Sequence, residues 1–316
     1  MAGRILSALG RALIISGLLV LGFVAFQLWG TSIESSRKQD TLRDSLAADM
    51  GKTNVRHLDT EDLVTAAEAI DPVTAPPMAP PANGEPIGVI SIPRIGVNWV
   101  FVAGVTRADL KKGPGHYPGT PLPGQAGNAA IAGHRTTYGA PFNRIDELIP
   151  GDEITISTPQ GSFTYVVIPA PGEEDQAWYA VKPSQVEVLN DAGDNRLTLT
   201  ACHPKYSARQ RIIVNAVLKT PPAQAVPVTD TTPKPNQTTP KLKPTLSEQF
   251  DEGQSGDSSA LWRALGFGLA AALIAGIAYF AKRYAKPWAV WLIATPGILA
   301  MIWFGYMYLD RYLPPL

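Results

Sequence analysis

Hydrophobic residues are laid out in two ways along this chain: unbroken runs at both ends, and short runs alternating with polar residues in between. The first unbroken run covers residues 12–29, preceded by Arg4 and Arg11 and followed by Thr31, Ser32 and Glu34. About 18 apolar residues suffice to cross the hydrocarbon core of a bilayer as a helix. No small-residue cleavage pattern follows the run, so it predicts a retained anchor rather than a removed leader. Two further runs, residues 264–281 and 288–309, flank the basic turn Lys282-Arg283-Tyr284-Ala285-Lys286-Pro287. Neither run holds a charged residue, and the pair predicts a transmembrane helical hairpin.

From Pro86 to Lys219 the pattern changes to short β-like runs separated by Gly/Pro turns. These runs are residues 87–92, 97–102, 129–131, 153–157, 163–168, 186–189, 197–200 and 211–218. Many short strands with regular turn signals predict an all-β sandwich or barrel, with one helical turn at residues 143–148. Residues 31–85 are polar and then Pro-rich, and predict a spacer. Short helices are expected there at 45–50 and 61–70, the second capped by Asp59 or Thr60. Residues 220–259, with Pro/Thr repetition and then acidic residues, predict an extended linker containing the sequon Asn236-Gln237-Thr238. The expected organisation is therefore an anchor (1–30), an extracellular spacer (31–85), a β-domain (86–219), a linker (220–259) and a two-span hairpin (260–316).

Charge adds orientation. The chain carries 27 basic and 27 acidic residues, and this balance speaks against a nucleic-acid binder. Arg4, Arg11 and the 282–286 turn are basic, so the positive-inside rule places them in the cytoplasm and residues 31–259 outside.

The chain has a single cysteine, Cys202, at the end of the alternating run Leu197-Thr198-Leu199-Thr200-Ala201-Cys202. It cannot form an internal disulfide, and in an exported domain an idle thiol is a liability. A thiol with a histidine and an arginine on a β-scaffold supplies what thiolate acyl transfer needs: nucleophile, proton carrier and charge stabiliser. Arg211 is the candidate for the last role. Among the four histidines, His134 in Gly133-His134-Arg135 is the leading proton partner. His116 stands in a loop able to line a cleft. His203 neighbours Cys202 on a strand and so points to the opposite face, and His57 falls in the polar spacer.

These motifs resemble those of the sortases. The resemblance rests on Thr198-Leu199-Thr200-Ala201-Cys202 with Arg211 nine positions on, and on Gly133-His134-Arg135. Further matches are Ile90-Ser91-Ile92-Pro93, Gly113-Pro114-Gly115-His116-Tyr117-Pro118-Gly119-Thr120 and Gly124-Gln125-Ala126-Gly127-Asn128. The segment from Cys202 to Arg211 most resembles class E sortases of actinobacteria. The resemblance implies a closed eight-stranded β-barrel in a membrane-anchored cysteine transpeptidase, with transmembrane helices at both ends. It implies that Cys202 attacks the Thr–Gly bond of an LAxTG- or LPxTG-type C-terminal sorting signal on a secreted protein. His134 would protonate the leaving amine and Arg211 would position the substrate. A peptidoglycan-precursor amine would be the acceptor, with no cofactor or metal. The family usually has Thr before the cysteine, where this chain has Ala201.

Three alternatives follow from the same residues. A pilin-polymerising sortase would use a pilin amine and carry a lid with Asp-Pro-aromatic; here Asp71-Pro72 is followed by Val73. A cysteine hydrolase would use water, and a tethered scaffold would need no thiol.

Overall fold

The structure, a computed structural model, describes residues 2–51, 59–226 and 258–313. His57, Asn236 and most of the expected linker lie outside these residues. The chain divides into two compact units, Met1–Leu28 with Gln254–Pro315, and Trp29–Gly253.

Among the described residues of the larger unit, nine strands form one sheet. They are β1 (Pro86–Ile92), β2 (Val97–Ala103), β3 (Gly115–His116), β4 (Asn128–Ala132), β5 (Glu153–Thr158), β6 (Gly161–Val167), β7 (Trp178–Val181), β8 (Arg196–His203) and β9 (Gln210–Leu218). Their order is β6-β5-β1-β2-β3-β4-β8-β9, and a β6–β9 pairing closes this ring of eight. The closed eight-stranded barrel is as expected. β9 explains both the closure and the ninth strand. One edge of β9 pairs with β8 along its length, from Arg196↔Val217 to His203↔Gln210. Its other edge is divided: residues 211–214 take β7, and residues 216–218 take β6. Closing the sheet leaves no long unpaired edge.

The interior follows the period of two. Ala129 and Ile131 of β4, Leu197, Leu199 and Ala201 of β8, and Ile212, Val214 and Ala216 of β9 all belong to one buried apolar cluster. Alternate residues on these strands therefore face outward. Two strands escaped the sequence pattern: β3 is two residues long, and β7 takes its pairing from β9 rather than from alternation of its own. Residues 186–189, expected as a strand, form a 3₁₀ turn, Val186–Leu189. Leu189 packs with Ala130 and Ala132 on the outer face of β4, so its apolar run covers the sheet instead of extending it. The helical turn expected at 143–148 is the 3₁₀ turn Ile145–Glu147.

The spacer region also differs from expectation. Helix α2 runs Thr31–Asp49, well before the expected start at residue 45, and α3 runs Thr60–Glu68. The Asp59 N–H donates to Asp62 Oδ2 at 3.1 Å, as a helix-starting box does. Leu42, Leu46 and Ala47 of α2 join Leu63 of α3 over Val89, Val100 and Val102 of the barrel. Gln39 caps this contact with strand-like hydrogen bonds. Its Oε1 accepts from Val100 N–H at 2.9 Å, and its Nε2 donates to the Val100 and Lys112 carbonyls at 2.9 and 2.8 Å. The apolar stripe of α2 is too narrow to announce a core helix, and the buried amide supplies the rest. The Asp71-Pro72 pair is a turn, with Asp71 accepting from the Val73 N–H at 3.0 Å. It packs at Gly161, on the β5–β6 hairpin.

The smaller unit contains α1 (Ala2–Ala25), α5 (Ser258–Ala281) and α6 (Pro287–Tyr312), the unit boundary falls within the π-helical turn Phe26–Gly30, and α4 (Arg107–Leu110) belongs to the barrel unit. Among the described residues, three helices are long and apolar enough to cross a membrane. Phe267 stacks on Phe304 and Tyr308 within the α5–α6 pair, each at 5.5 Å between ring centroids. Phe26 meets Trp303 edge-on at 4.9 Å, Tyr306 donates to the Leu19 carbonyl at 2.7 Å, and Gln27 donates to Asp310 at 3.1 Å. Polar bonds of this kind hold helices together where apolar burial gives no net drive.

Candidate active site

Strand register brings the expected site residues into one row. β4 and β8 run parallel with Ala130↔Thr198 and Ala132↔Thr200. The Gly133 N–H donates to the Thr200 carbonyl at 3.0 Å, so the pairing continues past the end of β4. Two more residues on each strand carry His134 to the level of Cys202. On the far side, the antiparallel β8–β9 pair sets Cys202 directly opposite Arg211. All three lie on the outward set, because the inward set is the apolar cluster already described. His134 and Arg211 are 6% and 7% exposed, whereas Cys202 is half-buried and reachable from solvent. Arg211 donates to the Ala208 and Gln210 carbonyls at 3.2 and 3.1 Å, which fixes its guanidinium at the β8–β9 hairpin.

The other histidines are disposed differently. His116 on β3 is buried, and its Nε2 donates to the Pro121 carbonyl at 2.8 Å. Burial lowers its pKa to about 4, against a smaller opposing effect of that bond. It is therefore a neutral packing residue. His203 points away from Cys202, with its ring 5.4 Å from that of Trp178. Its pKa is lowered first by burial and then by the Arg135 guanidinium, with Asp146 opposing.

Two neighbours were not anticipated. Tyr117 shares a 3.0 Å hydrogen bond with Thr200, two residues before Cys202 on the same face. Burial raises its pKa to about 12, with the Thr200 bond and Arg211 opposing, so it stands as a neutral hydroxyl beside the row. Arg135 is 2% exposed and holds several partners at once. It donates to the Cys202 carbonyl at 3.3 Å and to His203 Nδ1 at 3.0 Å, and it pairs with Asp146 at 2.8 Å. The residue after His134 thus ties the His134 loop to the cysteine strand. The Gly-His-Arg motif carries this signal, but only the β4–β8 register gives it meaning. Beyond Asp146 opens a cleft of 740 Å³ whose walls include Glu173, Glu174 and Asp175. Its acidic lining contrasts with the positive charge of Arg211.

Chemically, the row places a thiol between an imidazole and a guanidinium on a rigid sheet. A thiolate there can attack a carbonyl, with a proton carrier on one side and a fixed positive charge on the other.

The sortase domain family model matches residues 90–219. Sortase SrtE1 of Streptomyces coelicolor is 28% identical over 225 residues, covering 66% of this chain and 55% of that protein. Sortase D of Bacillus subtilis is 26% identical over 195 residues, covering 61% of this chain and 86% of its own length. The solved structure of sortase E from Streptomyces avermitilis is 38% identical, covers 44% of this chain and 91% of that one, and superposes with a TM-score of 0.38. Residues 90–219 of the chain are a sortase domain, the domain of a family of cysteine transpeptidases.

Proposed function

We propose that this protein is a membrane-anchored transpeptidase that cleaves an LAxTG- or LPxTG-type sorting signal between Thr and Gly and passes the acyl group to a cell-wall amine. The observation that carries the reading is the single outward row His134–Cys202–Arg211 fixed by β4–β8–β9 register. The Cys202 thiolate adds to the threonine carbonyl carbon, and Arg211 stabilises the oxyanion. The C–N bond breaks as His134 gives its proton to the departing glycine amine, leaving a thioester. An incoming amine then adds, the C–S bond breaks, and His134 takes up the proton the amine loses. The apolar terminal helices support attachment to a lipid bilayer. Basic Arg11 and the 282–286 turn support a cytoplasmic N-terminus with the catalytic domain outside.

Intact mass of the full chain in detergent, after mixing with LAxTG and LPxTG peptides, tests the reading. The expected result is a mass gain equal to the peptide less its leaving fragment, discharged faster by an added amine and absent in Cys202→Ala. Discharge indifferent to amine would replace transfer with hydrolysis. No adduct with either peptide would sink the proposed specificity.

A further inference from the structure

We propose that Tyr138 is a positioning residue for His134, held in place by the first turn of helix α2, so that the helix is a working part of the active site. The Tyr138 ring lies against the His134 imidazole, 5.2 Å between centroids at 34°, within the range of attractive aromatic contacts. Lys111 stands 4.7 Å from the centroid of the same ring. Tyr138 is buried, yet its φ of +53° is in the left-handed region, as are those of Gly139 (+77°) and Ala140 (+45°). Non-glycine residues keep such angles only where surroundings impose them.

The imposing surface is α2. The Tyr138 N–H donates to Thr31 Oγ1 at 3.1 Å. Thr31 and Ser35, one turn apart on α2, are both fully buried polar residues. A side chain on Gly139 would collide with Trp99 and come within 3.2 Å of Ser35 Oγ. The loop is thus gripped on two sides. Arg135 fastens it to β8, and Thr31 fastens it to α2. His134 adjoins the first grip, and the ring that lies against its imidazole belongs to the second. Residues 31–49 therefore pack on the barrel rather than standing off it.

The inference rests on His134 as proton carrier, and the test separates the two. Steady-state cleavage of an LAxTG or LPxTG peptide by the full chain in nanodiscs is measured for wild type, His134→Ala, Tyr138→Ala, Thr31→Val and Thr31→Ser. Thr31→Val and Tyr138→Ala should lower kcat about tenfold with KM unchanged, and Thr31→Ser should restore it. In a His134→Ala background, Thr31→Val should cost nothing further, because its effect passes through the imidazole. Equal losses in both backgrounds, or wild-type kcat in both variants, would overturn the positioning role. An undiminished His134→Ala would overturn the function reading itself. A second readout needs no substrate: the ring resonance of His134 in histidine-labelled protein should move in Thr31→Val while that of His116 stays. A stationary His134 resonance would overturn the inference.

Discussion

Two buried histidines in this barrel, His116 and His134, sit one strand apart and have opposite relations to their surroundings. His116 is inside β3 and bonds a carbonyl five residues along its own chain. Its needs are met locally and its charge is suppressed. His134 lies two residues past the end of β4, level with Cys202 if the β4–β8 register is continued, and its loop is held by residues of other elements: Thr31, Cys202 and Asp146. Burial alone does not tell the two apart; the elements that hold each one do.

Substitution at the row should produce the largest contrast. Cys202→Ala should abolish the thioacyl adduct. His134→Ala should slow acylation by about 10²–10⁴-fold, and Arg211→Ala by about 10²–10³-fold. His116→Asn should leave the rate per folded molecule near wild type. A His116→Asn variant as inactive as His134→Ala, at equal folded fraction, would erase the distinction.

The next effect appears in stability and belongs to His116, with His203 adding to it in the same direction. The folded pKa of His116, about 4, lies below the usual 6.5. Above pH 6.5 the ring is neutral in both states, and its contribution is fully present. As pH falls towards 4 the unfolded chain binds the proton first, so that contribution is lost. The total loss is on the order of 3 kcal/mol. Denaturant midpoints measured from pH 7 to pH 4 should fall, and His116→Asn should flatten that slope.

Arg135→Met should come third. Breaking a buried ion pair costs about 3–5 kcal/mol, but Asp146 is 33% exposed, which discounts the loss to about 2 kcal/mol. The melt should shift by that amount, while acylation falls further than the lost folded fraction explains. A purely proportional fall would make Arg135 a stability residue only.

Much of this contrast was legible in the sequence, and its limits are physical. The alternation around Cys202 and Arg211 fixed the strands, and the Gly-His-Arg motif pointed to His134. What stayed hidden depends on pairing. The suppression of His116 needs its burial between β2 and β4. β7 needs the free edge of β9. Helix α2 buries few apolar residues and docks instead through Gln39 and Thr31, polar side chains that read as solvated until a strand and a turn meet them.

The smallest predicted effect concerns Ala201, where the family usually has threonine. Strand alternation puts Ala201 in the inward apolar cluster, opposite Ile212, while Cys202 faces out. The missing hydroxyl therefore does not line the row. Ala201→Thr should change kcat/KM by less than about threefold, since no atom is added on the Cys202 face. Its consequence should be a stability loss of about 1–3 kcal/mol, from extra volume and a hydroxyl placed beside Leu199 and Ile212. A large gain or loss in kcat/KM at unchanged stability would mean that position 201 acts on the thiol through the strand, and the separation of the two faces of β8 would have to be given up.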